Sequence, residues 1–380
     1  MIASRLAGFG TTIFTEMSAL ALRTGSINLG QGFPGEDGPH EVLEAAARAL
    51  RDGHNQYAPL AGVPALLEAI ADHQQRFYGL DVDPHTGVQV TFGATEAIAA
   101  ALLGLLEPGD EVVVFDPLYD SYAAGIAMAG ARRSPVTLRP PDWRLDPAAL
   151  EAAITSRTRL LLLNTPHNPT GKVFDAGELK QIAAVCREHD LIAVADEVYE
   201  HLVYDGKHIP LATLDGMAER TLTISSIGKT FSATGWKIGW ATGPPSLIAA
   251  VRGAKQYLSF AGGTPLQHAS AAALHMPDEF YEQLTTAYRG KRDRICAGLE
   301  AAGLEPLSPA GTYFVNARVA GDGAAFCREL PERAGVVAIP TSVFYDDPDA
   351  GRSLVRFAFC KRDAVIDEAA TRLARAGAGP

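Results

Sequence analysis

Residues Leu160–Tyr199 read LLLLNTPHNPTGKVFDAGELKQIAAVCREHDLIAVADEVY. An unbroken apolar run, Leu160–Asn164, ends in a turn rich in Pro and Asn. A stretch of helical periodicity, Ala176–His189, follows, and then a second apolar run, Leu191–Ala195. A strand that is apolar at every position has no face left for water, so it belongs to a sheet covered on both sides. Strand, helix and strand in that order form a parallel crossover unit.

The pattern repeats outward. Val88–Phe92, Glu111–Phe115 and Thr221–Ser225 read as further strands, with helices at Glu96–Leu106 and Ser246–Ser259. The fold class is α/β: a mostly parallel central sheet flanked by helices, plus a smaller α+β domain. The large domain is expected over residues 39–289. An arm rich in Gly and Pro (1–38) and the tail 290–380, with strands near Gly311–Asn316 and Leu354–Phe359, account for the rest.

In such sheets ligands sit beyond the carboxyl ends of the strands. The five strands are followed there by Gly93-Ala94-Thr95, Asp116-Pro117-Leu118-Tyr119, Thr165–Gly171, Asp196-Glu197-Val198-Tyr199 and Ser226-Ile227-Gly228-Lys229-Thr230. Five consecutive strands thus deliver polar or aromatic groups to one rim, and the active site is expected on it.

Bulk properties narrow the function. The chain has 380 residues, 47% hydrophobic and 20% charged, as in a well-buried globular enzyme. A formal charge of −11 argues against general binding of nucleic acid or anionic membranes, which want a basic face. The four cysteines form no C-x-x-C pair, so reduced thiols are expected rather than a disulfide framework or a zinc site. The start MIASRLAGFG has no apolar signal-like core and no run is long enough to span a membrane. A cytoplasmic location is expected.

Two phosphate-loop patterns are decoys. Gly30-Gln-Gly-Phe-Pro-Gly35 fits G-x-G-x-x-G, but Pro34 and the following Glu-Asp-Gly-Pro open no helix. Gly228-Lys229-Thr230 resembles the end of a P-loop, but the leading glycine falls on Thr223.

A different chemistry uses the same rim. A partly desolvated lysine is a nucleophile toward aldehydes, and Lys229 follows a buried strand. A pyridine cofactor needs a carboxylate at its ring nitrogen, a role that suits Asp196 at a strand end; the same position also suits a helix cap. The Gly93-Ala94-Thr95 turn at a helix start, with Ser226 and Lys237, offers donors for a phosphate. Tyr119 suits stacking on a ring and Tyr199 a hydrogen bond to it, although a lone Tyr also packs without a ligand. Asn168 equally suits a turn.

With those residues assembled, the chain resembles the fold-type-I, class I/II pyridoxal-phosphate aminotransferases over nearly its whole length. The motif Ser226–Trp240 (SIGKTFSATGWKIGW) carries most of the likeness, with NLGQGFP, NQYAPLAG, NTPHNPTGKVF, DEVYEHLVYDG and LVRFAFCKRD. These segments match the branch holding kynurenine aminotransferase, glutamine transaminase K and cysteine-conjugate β-lyase. FTEMSALA, VTFGATEAIAAA, YDSY, GMAERTLTISS and AKQYLS look most like actinobacterial N-succinyldiaminopimelate aminotransferase.

The resemblance implies pyridoxal 5′-phosphate carried on Lys229, with Asp196 at the pyridine nitrogen. It implies Tyr199 and Asn168 at the phenolic oxygen and Tyr119 on the ring. Ala94, Thr95, Ser226 and Lys237 hold the phosphate, and Tyr57 reaches it from a second subunit of a homodimer. Arg356 grips the substrate α-carboxylate, while Gly32, Phe14 and the partner-side Phe260 line the substrate entrance. Lys237 stands where the broad class usually has Arg. The loop Ser259–Gly263 lacks the histidine that kynurenine-type enzymes carry beside Phe260. The reaction implied moves an amino group from an α-amino acid, or an N-succinyldiaminopimelate-like donor, to a 2-oxo acid such as 2-oxoglutarate. β-Elimination from a cysteine conjugate, or a specialised biosynthetic transamination, are the alternatives.

Overall fold

The computed structural model describes residues 3–10 and 12–377; the remaining residues of the arm and the last three of the tail lie outside the described set. Seven strands form the main sheet: β1 Val88–Phe92, β2 Glu111–Asp116, β3 Arg132–Thr137, β4 Thr158–Asn164, β5 Ile192–Asp196, β6 Thr221–Ser226 and β7 Ile238–Thr242. Their order is β1-β7-β6-β5-β4-β2-β3. The pairs from β6 to β3 are parallel, and β7 runs antiparallel to both of its neighbours.

The apolar runs have their physical reason in two helical layers. Alternate residues of the strands point to opposite faces. Leu161 and Leu163 of β4, Val113 of β2 and Ala193 of β5 pack on Leu179, Ile182 and Cys186 of the helix Ala176–Glu188. Leu160, Leu162, Val112 and Val194 pack on the other side with Ala97, Ala101 and Leu102 of the helix Gly93–Leu105 and Val251 of the helix Pro245–Leu258. Asp175 starts the first of these helices with a capping box to Glu178, as the D-x-x-E spacing dictates.

A second, antiparallel sheet has β8 Glu305–Leu307, β9 Phe314–Arg318, β10 Ile339–Pro340 and β11 Leu354–Ala358 in the order β10-β11-β9-β8. Helices Asp278–Ala301, Gly323–Ala334 and Asp363–Arg375 bury it. The N-terminal helix Ile13–Thr24 contributes Met17 and Ala21 to the same core, and Ile27–Asn28 pairs with Val336–Val337. The helix Asp278–Ala301 runs straight through residue 290, so the chain passes from one sheet to the other within a continuous helix.

Expected strands and helices lie within a few residues of those found, including Val88–Phe92 without any shift. Outside the main sheet the short strands β8, β10, Ile27–Asn28 and Val336–Val337 were not expected, and within the main sheet two strands escaped the sequence reading. β3, with Arg132, Arg133 and Pro135, is the polar edge of the sheet, and β7 lies inside the stretch read as motif rather than as strand.

Candidate active site

Asp196 ends β5, paired in register with Asn164 on one side and Ile224 on the other. It is 5% exposed, and its carboxylate accepts from Tyr122 Oη at 2.5 Å and Val198 N at 3.3 Å. Burial raises its pKa to about 6; the Tyr122 hydroxyl, the Val198 N–H and the Lys229 charge pull the other way. Lys229 stands in the single helical turn Ile227–Thr230 that leaves β6. Burial lowers the pKa of its ammonium, only partly opposed by Cys360 and Asp196. Its Nζ lies 5.6 Å from the ring centre of Tyr199 and 5.7 Å from that of Tyr313. Burial thus works against the charged form of both a lysine and a carboxyl that line the same cleft.

Next to this pair is an anion cradle. The helix Gly93–Leu105 begins without a side-chain cap, so its first N–H groups, at Ala94 and Thr95, remain free. Gly93 has φ +69°, and a Cβ there would lie 3.1 Å from Lys237 Nζ. Lys237 itself takes the left-handed conformation, φ 56°, at the end of the turn Thr234–Trp236. Close approach requires Gly239 too, because a Cβ on it would meet Gly93 C at 2.6 Å. A helix N-terminus, an ammonium and the Ser226 hydroxyl thus border one space.

Arg356 supplies the third element. It sits in the middle of β11, opposite Asn316 of β9 and Ile339 of β10, and is 1% exposed. Nη1 donates to Asn168 Oδ1 and Nη2 to Gly30 O, both at 2.9 Å, while Nε has no partner. The rings of Phe314, Phe344 and Phe14 surround the guanidinium at 4.1, 5.0 and 5.3 Å. Burial lowers its pKa to about 10, so it remains a cation at neutral pH. Asn168 is held in turn by Asn164, whose Oδ1 accepts from Asn168 N at 2.7 Å and whose Nδ2 donates to Asp196 O.

The carboxylate, the lysine, the anion cradle and the guanidinium line one cleft of about 370 Å³. It brings together Lys229, Asp196, Tyr199, Tyr119, Asn168, Ala94, Thr95, Ser226, Lys237, Arg356, Gly32 and Phe14. Tyr57 and Phe260 are not among its lining. They form an edge-to-face pair, ring centres 5.6 Å apart, on the surface of the chain, with Tyr57 80% exposed.

Tyr122, Asn164, Gln31, Phe33 and Phe314 line the cleft without having been anticipated. Tyr122 lies three residues after Tyr119, and helical spacing predicts that both reach one side. Asn164 obeys the strand-end rule already applied to Asp196. Gln31 and Phe33 share the turn of Gly32. No local signal marks Phe314, which comes from the second sheet.

The model for aminotransferase class I and II matches residues 24–373. The chain belongs to the class I and II aminotransferases. Within this family, a Mycobacterium tuberculosis relative named as a probable N-succinyldiaminopimelate aminotransferase is 53% identical, the match covering 98% of each chain. The solved structure of the N-succinyldiaminopimelate aminotransferase from that organism aligns with a TM-score of 0.97, covering 99% of this chain and 100% of that one. An Escherichia coli methionine aminotransferase is 42% identical over 97% of each chain. Human kynurenine–oxoglutarate transaminase 1 is 36% identical over 96% of this chain and 95% of its own. The chain is an aminotransferase enzyme with the α/β architecture of that family.

Proposed function

We propose that this aminotransferase works with pyridoxal 5′-phosphate and takes its amino group from an N-succinyldiaminopimelate-type α-amino acid, passing it to a 2-oxo acid such as 2-oxoglutarate. One observation carries the reading: a buried Asp196, a lysine of lowered pKa, an uncapped helix N-terminus and a buried Arg356 border a single cleft. The donor set fits the cofactor. Ala94, Thr95, Ser226 and Lys237 would hold its phosphate, Asp196 its ring nitrogen, Tyr199 and Asn168 its phenolic oxygen, Tyr119 its ring face and Lys229 its aldehyde carbon. When bound, the cofactor supplies an electron sink for the bond broken at the substrate Cα.

The chain's own groups do the rest. Arg356 binds the α-carboxylate of donor and acceptor alike, its planar fork held by Asn168, Gly30 and the three phenylalanine rings. That grip orients the Cα–H bond toward Lys229. The Lys229 amine then removes the proton from Cα as a general base and would return it as a general acid two atoms away, to the carbon on the far side of the transferred nitrogen, a task its lowered pKa suits. Asp196, kept in place by Tyr122 and Val198, holds the proton on the ring nitrogen.

The experiment is a half-reaction screen. N-succinyldiaminopimelate, methionine, kynurenine and glutamine are added singly to the loaded enzyme, and the 2-oxo acid released is measured. The proposal expects the fastest release from N-succinyldiaminopimelate, in line with the 53% identity over the whole chain. Preference for methionine overturns that donor in favour of a second reading. The aromatic walls Phe14 and Phe33 and the neutral amide of Gln31 support this alternative, since among the described lining residues the only cations are Lys229, Lys237 and Arg356. Release of pyruvate from a cysteine conjugate without an acceptor marks β-elimination instead.

We further propose a cytoplasmic homodimer in which the exposed Tyr57 and Phe260 complete the partner's site, Tyr57 at the phosphate and Phe260 at the substrate entrance. No described helix is long and apolar enough to cross a membrane.

A further inference from the structure

A second polar cluster lies beyond Asp196, and the reaction above makes no use of it. The segment after β5 alternates its partners. Asp196, Val198 and Tyr199 line the cleft, whereas Glu200 and His201 meet the helix Pro64–Tyr78 and the strand β6. His73 and His201 bring their Nε2 atoms to 2.8 Å. Glu200 accepts from the Tyr78 phenol at 2.6 Å on Oε2 and from the Ser225 hydroxyl on Oε1. One ligating atom from each of His73, Glu200 and His201 lies within 4.8 Å of the others.

The charge balance of this cluster is unusual. Glu200 is 6% exposed, and Glu197, 0% exposed, lies nearby with His208 Nε2 at 2.8 Å and Leu211 N at 3.2 Å as its donors. Among the described residues no lysine or arginine is within ion-pair distance of either carboxylate. Two buried carboxylates are therefore faced only by imidazoles, hydroxyls and backbone, an arrangement that a cation would relieve. His73 Nε2 and His201 Nε2 share one hydrogen bond, in which one ring donates to the lone pair of the other, and an ion seated between them replaces that bond and leaves each ring's proton on Nδ1.

We propose that His73, Glu200 and His201 form a binding site for a divalent transition-metal ion of the zinc type, with water completing its shell. Two neutral imidazoles and one carboxylate are a donor set shared by zinc, cobalt and nickel. At metal–nitrogen distances of about 2.0 Å a tetrahedral ion holds two nitrogens roughly 3.3 Å apart, so the imidazoles part by about half an ångström and the carboxylate closes in. His201 is the least buried of the three. The ion ties the helix Pro64–Tyr78 to the turn that carries Tyr199, and it leaves the cleft itself untouched.

The test uses the full-length, cofactor-loaded enzyme, treated with chelator and dialysed against cobalt(II) or zinc(II) without substrate. Metal per chain is measured by elemental analysis, the cobalt ligand field by visible absorption and its ligands by X-ray absorption. The expected result is one ion per chain in a four-coordinate shell with two imidazoles. His201→Gln and Glu200→Gln weaken cobalt binding at least about tenfold. His268→Ala leaves it unchanged, although it removes the other close imidazole pair, His54 and His268, with ring centres 4.0 Å apart. The proposal is overturned by three results: no ion retained by the wild type at tenfold excess, an all-oxygen shell, or binding lost in His268→Ala but kept in His201→Gln. The wild-type measurements decide the matter even where a variant does not fold.

Discussion

Arg356 Nη1 donates to Asn168 Oδ1 at 2.9 Å, a bond that joins the second sheet to the turn after β4 across 188 positions of sequence. It matters because both groups are buried and Nε of the same guanidinium is left without a partner. The protein thus takes one hydrogen bond from each terminal nitrogen, and the proposed clamp assigns the remaining donors to the substrate carboxylate.

Asn168→Ala removes the acceptor while leaving the charge. A hydrogen bond to a charged group contributes about 1.5–3 kcal/mol, so KM is expected to rise roughly tenfold or more. Arg356→Lys, which loses the planar fork, raises it roughly a hundredfold. Steady-state kinetics check both, and the rise should be similar for amino acid and 2-oxo acid because each presents the same carboxylate. An effect confined to one of the two substrates contradicts a shared clamp.

Lys229→Ala removes the group assigned to the proton transfer at Cα. Turnover is expected to fall by about 10⁴-fold, the upper range for a positioned acid–base residue. Release of 2-oxo acid in a single turnover is the readout. A variant that keeps a tenth of the wild-type rate rules out the assigned role.

Asp196 gives a pH signature. Its folded pKa, about 6, exceeds its ordinary value of 3.8 because of burial. The folded cofactor-free protein therefore binds this proton more tightly than the unfolded chain does. The contribution is fully present below pH 3.8 and is lost as pH rises through about 6. Asp196→Asn removes that loss. At pH 7 the cofactor-free variant should be more stable than the cofactor-free wild type, by on the order of 2–3 kcal/mol, and the two should converge under acid. Urea denaturation at several pH values measures it, while loss of turnover in the loaded variant reports the role at the ring nitrogen.

Gly32→Ala tests packing rather than charge. The added Cβ would lie 2.6 Å from Phe314 Cζ and 2.8 Å from Tyr313 Cε2. Phe314 stacks on Arg356 at 4.1 Å, so the ring that must yield is the one supporting the guanidinium. Overpacking of this kind costs about 1–3 kcal/mol. A lower Tm together with a raised KM is expected; a lower Tm alone would separate Gly32 from the clamp.

Lys172 and Glu178 are a control outside the cleft lining. Lys172 Nζ sits 2.7 and 2.8 Å from the two carboxylate oxygens, and both side chains are buried. Lys172→Met leaves the Glu178 charge without its cation and should cost about 3–5 kcal/mol in denaturant unfolding. KM should not change, since neither residue lines the cleft.

Much of this arrangement was legible beforehand because its rules are local. Leu160–Leu163 is apolar throughout only where helices cover both faces, and Asp196 and Lys229 stand at the ends of two such strands. Strand-end position placed them on one rim before any contact was known. β7 was harder. Its residues Ile238–Thr242 carry the apolar pattern, but nothing in five residues reveals that they run antiparallel between β1 and β6.

By itself, then, the sequence determined the apolar strands of the α/β layer, the helices between them and the polar rim on which Lys229 stands, because periodicity and strand ends are properties of neighbouring residues. Only the tertiary structure decided that Tyr122 is the residue that reaches Asp196, that Phe314 and Phe344 flank Arg356, and that His73 meets His201. Those meetings join residues from different elements, and the packing of whole layers, not the local chain, sets which side chains end up within bonding distance.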